Sequence, residues 1–153
     1  MRLTVTNEYH FLRGPDGVYT DSVYPYDYYR RYLPTFESVA VMARVRDGAL
    51  PAGARRVDGD LVEVIAVPEF VGAAGLATVG PRLAQIAWQT AATAEAVIVK
   101  GPGVMCTALS AALRLRHKPY GIAVVGDPGE SLKAGTWAMP VSYTHLRAHE
   151  TVL

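Results

Sequence analysis

At 153 residues the chain is long enough for one compact domain, and a hydrophobic content of 50% excludes a disordered one. Its 15 basic and 14 acidic residues leave a formal charge of +1, which gives no electrostatic reason to expect a nucleic-acid partner. A lone cysteine, Cys106, excludes an internal disulfide framework and suits a reducing cytoplasm.

Met1 to Glu8 lacks the apolar core of a signal peptide, and no run approaches the ~20 apolar residues of a spanning helix. Leu3–Thr6 predicts a short opening strand. The polar stretch Asn7–Thr20 reads as a loop around the turn Gly14-Pro15-Asp16-Gly17. Tyr24 to Tyr32 has helical spacing and ends near Leu33-Pro34, since a proline disfavours helical geometry in the residue before it. Val39–Ala43 is a buried strand, Arg44–Gly59 a loop, and Leu61–Val67 a third strand stopped by Pro68. From Gly75 to about Ala94, Leu76, Val79, Leu83, Ile86, Ala87 and Thr90 mark one face of a helix. Ala96–Val99 is a fourth strand, Val104–Leu115 a helix, and Tyr120–Val125 a fifth strand ending at Gly126-Asp127-Pro128.

Strands separated by helices imply parallel pairing through crossovers. Continuous apolar strands imply a sheet covered on both faces. The expected fold is therefore α/β: an open, doubly wound, mainly parallel sheet, with ligand sites beyond the carboxyl ends of its strands. The glycine-rich and charged features gather at those ends.

Gly14 and Gly17 would let the backbone approach a phosphate or sugar closely, or would simply form a turn. No Gly-x-Gly-x-x-Gly or phosphate-loop pattern accompanies them. Gly101 and Gly103 stand before a helix whose free amides suit an anion, with Lys100 adding charge; an ordinary strand-to-helix turn explains them equally well. Asp127, beside Gly126, would bind sugar hydroxyls, act as a base, or cap a turn. Arg44 and Arg46, if extended, share a face and would meet a phosphate, or else lie in a solvated loop. His10 is placed to contact a substrate, and His117 to face a helix C-terminus. Cys106 reads as a small buried residue rather than a nucleophile. No histidine pair has metal-ligand spacing. The tyrosines at 24, 26, 28, 29 and 32 would form an acceptor-facing surface or pack on the sheet.

Three stretches carry a family resemblance. They are Tyr29-Arg30-Arg31-Tyr32-Leu33-Pro34-Thr35-Phe36-Glu37-Ser38-Val39 with Val41–Val45 after it, Ala94–Gly103, and Lys118–Pro128. In this order and spacing the chain resembles the N-terminal half of a retaining, nucleotide-sugar-dependent GT-B glycosyltransferase, over most of residues 1 to 137. The resemblance implies a Rossmann-like N-terminal domain over residues 1–139 that receives the acceptor, a glycan, lipid-linked or small molecule. A second domain, not present here, would hold the nucleotide-sugar, which is a co-substrate; no cofactor is implied in this chain. The loop from Gly14 to Gly17 would lie near the donor diphosphate, with Gly101 to Gly103 and Gly126-Asp127 lining the cleft. The family's pair of glutamates seven residues apart is missing, so the catalytic residues stay unassigned and the fragment is expected to be inactive alone. The implied setting is cytoplasmic, with the inner face of the membrane as a place of contact.

Residues from about 140 form a separate tail. Val141-Ser142-Tyr143-Thr144-His145-Leu146-Arg147-Ala148-His149-Glu150-Thr151-Val152-Leu153 resembles a translated cloning or sequencing-adapter scar and is set aside from fold reasoning. The competing functional class is a self-contained flavodoxin-like ligand-binding or regulatory domain.

Overall fold

The computed structural model describes residues 1–125, so Gly126, Asp127 and the tail lie outside the described residues. Ten elements follow in order: β1 (Arg2–Arg13), β2 (Val18–Thr20), α1 (Tyr26–Arg30), β3 (Ser38–Asp47), β4 (Arg55–Arg56), β5 (Val62–Pro68), α2 (Gly72–Thr93), β6 (Ala96–Gly101), α3 (Val104–Leu115) and β7 (Gly121–Val124). The fold is α/β, with a mixed, open sheet whose central strands are parallel. Those strands run β5-β3-β1-β6-β7. The antiparallel part is the β1–β2 hairpin and β4 beyond it.

The strand order has a direct physical consequence. From β1 the chain moves outward to β3 and β5, then returns across the sheet to add β6 and β7 on the other side of β1. Right-handed crossovers taken in opposite directions place their connections on opposite faces. The two cores follow this rule. On one face, α2 and α3 bury Leu83, Ile86, Ala87, Met105, Leu109 and Leu113 against Met42, Val67, Val97 and Val99. On the other, Tyr29 is buried among Leu3, Val5, Val39, Val41 and Val62, with Tyr24, Tyr28 and Tyr32 packed alongside. Period-two alternation divides each strand between the cores: in β6, Val97 and Val99 face the helices while Ala96 and Ile98 face the tyrosines.

Several expectations are corrected. The opening strand extends well past Thr6, to Arg13, and turns into a hairpin at Gly14–Gly17. The tyrosine segment forms only the five-residue α1, followed by turns with Tyr32 N–H to Tyr29 O at 3.0 Å and Leu33 N–H to Arg30 O at 3.0 Å. One face of the sheet is thus covered by two helices and the other by a short helix and its turns. Arg44–Asp47 belongs to β3 rather than to a loop. Helix α2 accommodates Pro81, and α3 spans Val104–Leu115 as expected.

Strand β1 changes character halfway. Arg2 to Thr6 pair with Ser38 to Met42, and His10 to Arg13 pair with Arg44 to Asp47. Between these, β1 advances from Thr6 to His10 while β3 advances only from Met42 to Arg44. The surplus residues leave the ladder as a bulge, a device that bends a strand and re-aims its side chains. On the opposite edge, β6 pairs with Leu3 to Val5, and β2 takes over at Leu12 and Arg13.

Candidate functional site

The strand order reverses between β1 and β6, and the bulge in β1, which falls in its ladder with β3, begins just past the last residue paired with β6, Val5. In open α/β sheets such a position leaves a crevice beyond the carboxyl ends of the strands. Side chains from β1, the α1 segment, β6 and α3 meet there.

On the helix side, Glu8 leaves the bulge and reaches the first turn of α3. Its carboxylate accepts the backbone amides of Met105 at 2.7 Å and Cys106 at 3.1 Å. Helix N-termini carry unpaired donors and a partial positive charge, so a carboxylate is stabilised there. Burial nevertheless wins for Glu8: desolvation raises its pKa above the ordinary 4.5, against the lowering effects of the Cys106 amide, Arg44 and the Met105 amide. Gly103 allows this approach, because a Cβ at that position would run into the Glu8 carboxyl group. Gly101 is closed in similarly, with a built Cβ 3.0 Å from Cys106 Sγ.

Arg44 crosses beneath this group. Its Nη2 donates to the Glu8 carbonyl, its Nη1 to the Phe70 carbonyl at 3.5 Å, and its guanidinium lies 4.9 Å from the Phe70 ring centroid. Its buried Nε has no hydrogen-bond partner. Arg44 therefore ties the bulge to the loop after β5. His10 meets Glu69 on that same loop. Burial, then the Glu8 charge, push the Cys106 thiol up to about 11, so it is a poor nucleophile at neutral pH.

On the tyrosine side, Lys100 is only 7% exposed. Its backbone is fixed by Thr6, whose Oγ1 accepts the Lys100 amide at 2.7 Å and donates to the Lys100 carbonyl at 3.4 Å. Its Nζ bonds the Tyr28 hydroxyl and lies 4.1 Å from the Tyr28 ring centroid and 4.9 Å from that of Tyr24. Desolvation, assisted by Arg31, lowers its pKa from 10.5 to about 8, with Tyr32 acting the other way. Tyr29 is anchored from β1 by Asn7, whose Nδ2 donates to its hydroxyl at 2.5 Å; burial holds the phenol well above its usual range. Tyr9 stacks edge-on against Tyr24 at 5.0 Å and stays 47% exposed.

The structure thus brings together Lys100, Gly101, Gly103 and Arg44 from the sequence-predicted set. Gly14 and Gly17 lie elsewhere, at the hairpin ending the second half of β1. Gly14 N–H donates to Gly17 O at 2.8 Å. Neither glycine has a positive φ. A Cβ on Gly14 would meet the Tyr19 ring at 2.7 Å, and one on Gly17 would meet Asp58 at 2.7 Å and Arg56 at 2.8 Å. They line a separate open groove shared with Arg13, Tyr26, Asp58 and Glu63. Glu8 was not selected from sequence, and the tyrosines at 24, 28, 29 and 32, read there as an acceptor-facing surface or a sheet-packing segment, were not linked to Lys100. A carboxylate in a polar run shows its role only once a distant helix arrives beside it.

Among the described residues no group of His, Cys, Asp and Glu could hold a metal ion, and no helix is long and apolar enough to cross a membrane. Comparison of the chain with protein-family profiles, with curated proteins and with solved structures returns no match.

Proposed function

We propose that this chain is the acceptor-side domain of a nucleotide-sugar-dependent glycosyltransferase, a Rossmann-like half that works against a second domain. The observation that carries the reading is the β1/β6 reversal, where a buried lysine in the last residues of β6 packs under a tyrosine wall just before a glycine turn into α3. The resemblance of Tyr29–Val45, Ala94–Gly103 and Lys118–Pro128 to the GT-B pattern supports it.

The chemistry suits these groups. A sugar leaving a diphosphate builds negative charge on the leaving oxygens, which a fixed cation stabilises. Lys100 is such a cation. The amides of α3 are not free for that task, because Glu8 already accepts two of them. The tyrosines supply flat faces for a sugar ring and hydroxyls to orient it. Donor and acceptor must be held together for transfer, so one side of the cleft is inactive alone.

The test is to recover the native reading frame past residue 139 and assay the encoded protein with a panel of nucleotide-sugars and glycan or lipid-linked acceptors. The expected result is a second α/β domain, release of nucleoside diphosphate and an acceptor heavier by one sugar. A native stop near residue 139, or transfer by residues 1–139 alone, overturns the reading.

A further inference from the structure

Lys100 and Arg31 are two cations gathered on one aromatic ring. Arg31 lies 3.8 Å from the Tyr28 ring centroid and Lys100 Nζ lies 4.1 Å from it. Neither takes part in any of the described ion pairs, which involve the N-terminus, Arg2, His10, Arg13, Arg30 and Arg56. Among the described residues, the groups that face the Lys100 side chain are Tyr24, Tyr28, Tyr29, Tyr32 and Arg31 from the α1 segment, while the uncharged Thr6 of β1 bonds only its backbone. Among the described residues, no carboxylate is among the influences on either cation.

A buried charge without a counter-ion is costly. Tyrosine faces offset part of that cost. They do not offset the repulsion between two cations sharing one ring. A structural lysine would be expected to sit beside an acid, whereas this one lies in the last residues of β6, next to the point where the strand order reverses.

We propose that Lys100 and Arg31, gathered on the Tyr28 ring, form with the Tyr28 hydroxyl a recognition site for a phosphate monoester. Two positive charges with no ion-pair partner among the described residues match a dianion, and a phosphate monoester carries close to two negative charges near neutral pH. Its oxygens accept from the ammonium, the guanidinium and the phenol. The bound anion favours the charged form of Lys100, so binding near pH 8 takes up about half a proton, that being the unprotonated fraction of a lysine with pKa about 8. The proposal names the ligand class at the site of the glycosyltransferase reading and rests on that reading only for placing the phosphate on an acceptor.

Calorimetry of the intact chain with hexose 1-phosphate, and co-sedimentation with phosphatidylcholine vesicles with and without phosphatidic acid, test the site. Saturable binding to at least one phosphate probe is expected. Sugar phosphate alone assigns the group to a soluble ligand; phosphatidic acid alone assigns it to a lipid headgroup. Affinity should fall about tenfold between pH 7 and pH 9, following the protonated fraction of a lysine with pKa about 8. Lys100→Met should weaken binding at least about tenfold, and the exposed Arg31→Ala should weaken it severalfold without unfolding the protein. Lys100→Arg should keep binding while flattening its pH dependence, because a guanidinium stays charged. Absence of binding to either probe, or equal binding by folded Lys100→Met, overturns the proposal. Sugar transfer is not measured, so either outcome leaves the glycosyltransferase reading to its own test.

Discussion

The Glu8 carboxylate and the Met105 backbone amide lie 2.7 Å apart across a sequence separation of 97 residues. A strand residue thus acts as the N-cap of a distant helix, a role the helix cannot fill locally because Gly103 at its start has no side chain. Glu8→Ala would leave two amides without this acceptor and should cost about 1–2 kcal/mol in chemical denaturation. Glu8→Gln, which keeps a carbonyl acceptor, should cost less. Equal losses for the two variants would show that the hydrogen bonds are not what matters.

Gly103→Ala should be destabilising by about 1–3 kcal/mol, because the new methyl displaces the Glu8 carboxyl. In the Glu8→Ala background that obstruction is gone. A double-mutant cycle should therefore show the paired loss to be smaller than the sum of the single losses. Strict additivity would break the link between these residues.

Lys100 should lower stability while serving the site. Its pKa falls from 10.5 to about 8 on folding, so between those values the unfolded chain binds more protons than the folded one. Stability contributed at this position therefore rises with pH across that window, and the full penalty applies below about pH 8. Lys100→Met should raise unfolding free energy at pH 7 by an amount on the order of 1–3 kcal/mol. The advantage over wild type should shrink toward pH 10. A variant that is less stable at pH 7 would mean the tyrosine contacts outweigh desolvation.

The Gly17 position separates packing from function. A valine there would strike Arg56 and Asp58, and Asp58 accepts the Val18 amide at 3.0 Å at the start of β2. Gly17→Val should lower stability by about 1–3 kcal/mol through overpacking of this corner. In a full-length enzyme, turnover per folded molecule should then change little. A large turnover defect with unchanged melting would return the hairpin to the site.

The sequence carried much of this fold because the parallel strands are short apolar runs with turn residues at their ends. Val39–Ala43 and Ala96–Val99 show this plainly. It concealed the second half of β1 because Asn7, Glu8 and His10 separate the alternating Leu3 and Val5 from the consecutive apolar pair Phe11 and Leu12. A bulge breaks period two by design. The helical spacing of Tyr28, Tyr29 and Tyr32 led to an expected helix over the segment, but between Pro25 and Pro34 there is room for only about two turns, of which α1 forms little more than one. Lys100, Gly101 and Gly103 were legible as a charged glycine turn after a strand. Their relationships to Tyr28 and Glu8 were not, since those partners come from segments 72 and 95 or more residues away.

The placement of β1 between β3 and β6 also bears on how the chain is made. Strand β1 leaves the ribosome before its neighbours and acquires β3 soon afterwards, yet its other edge stays open until Ala96–Ile98 arrive. Synthesis at about 5–20 residues per second makes that a wait of several seconds. During it, the first half of β1 presents unpaired backbone groups that invite foreign strands. Thr4 and Thr6, buried and facing away from the tyrosine core, then offer hydroxyls instead of bare apolar surface on one side of that nascent strand.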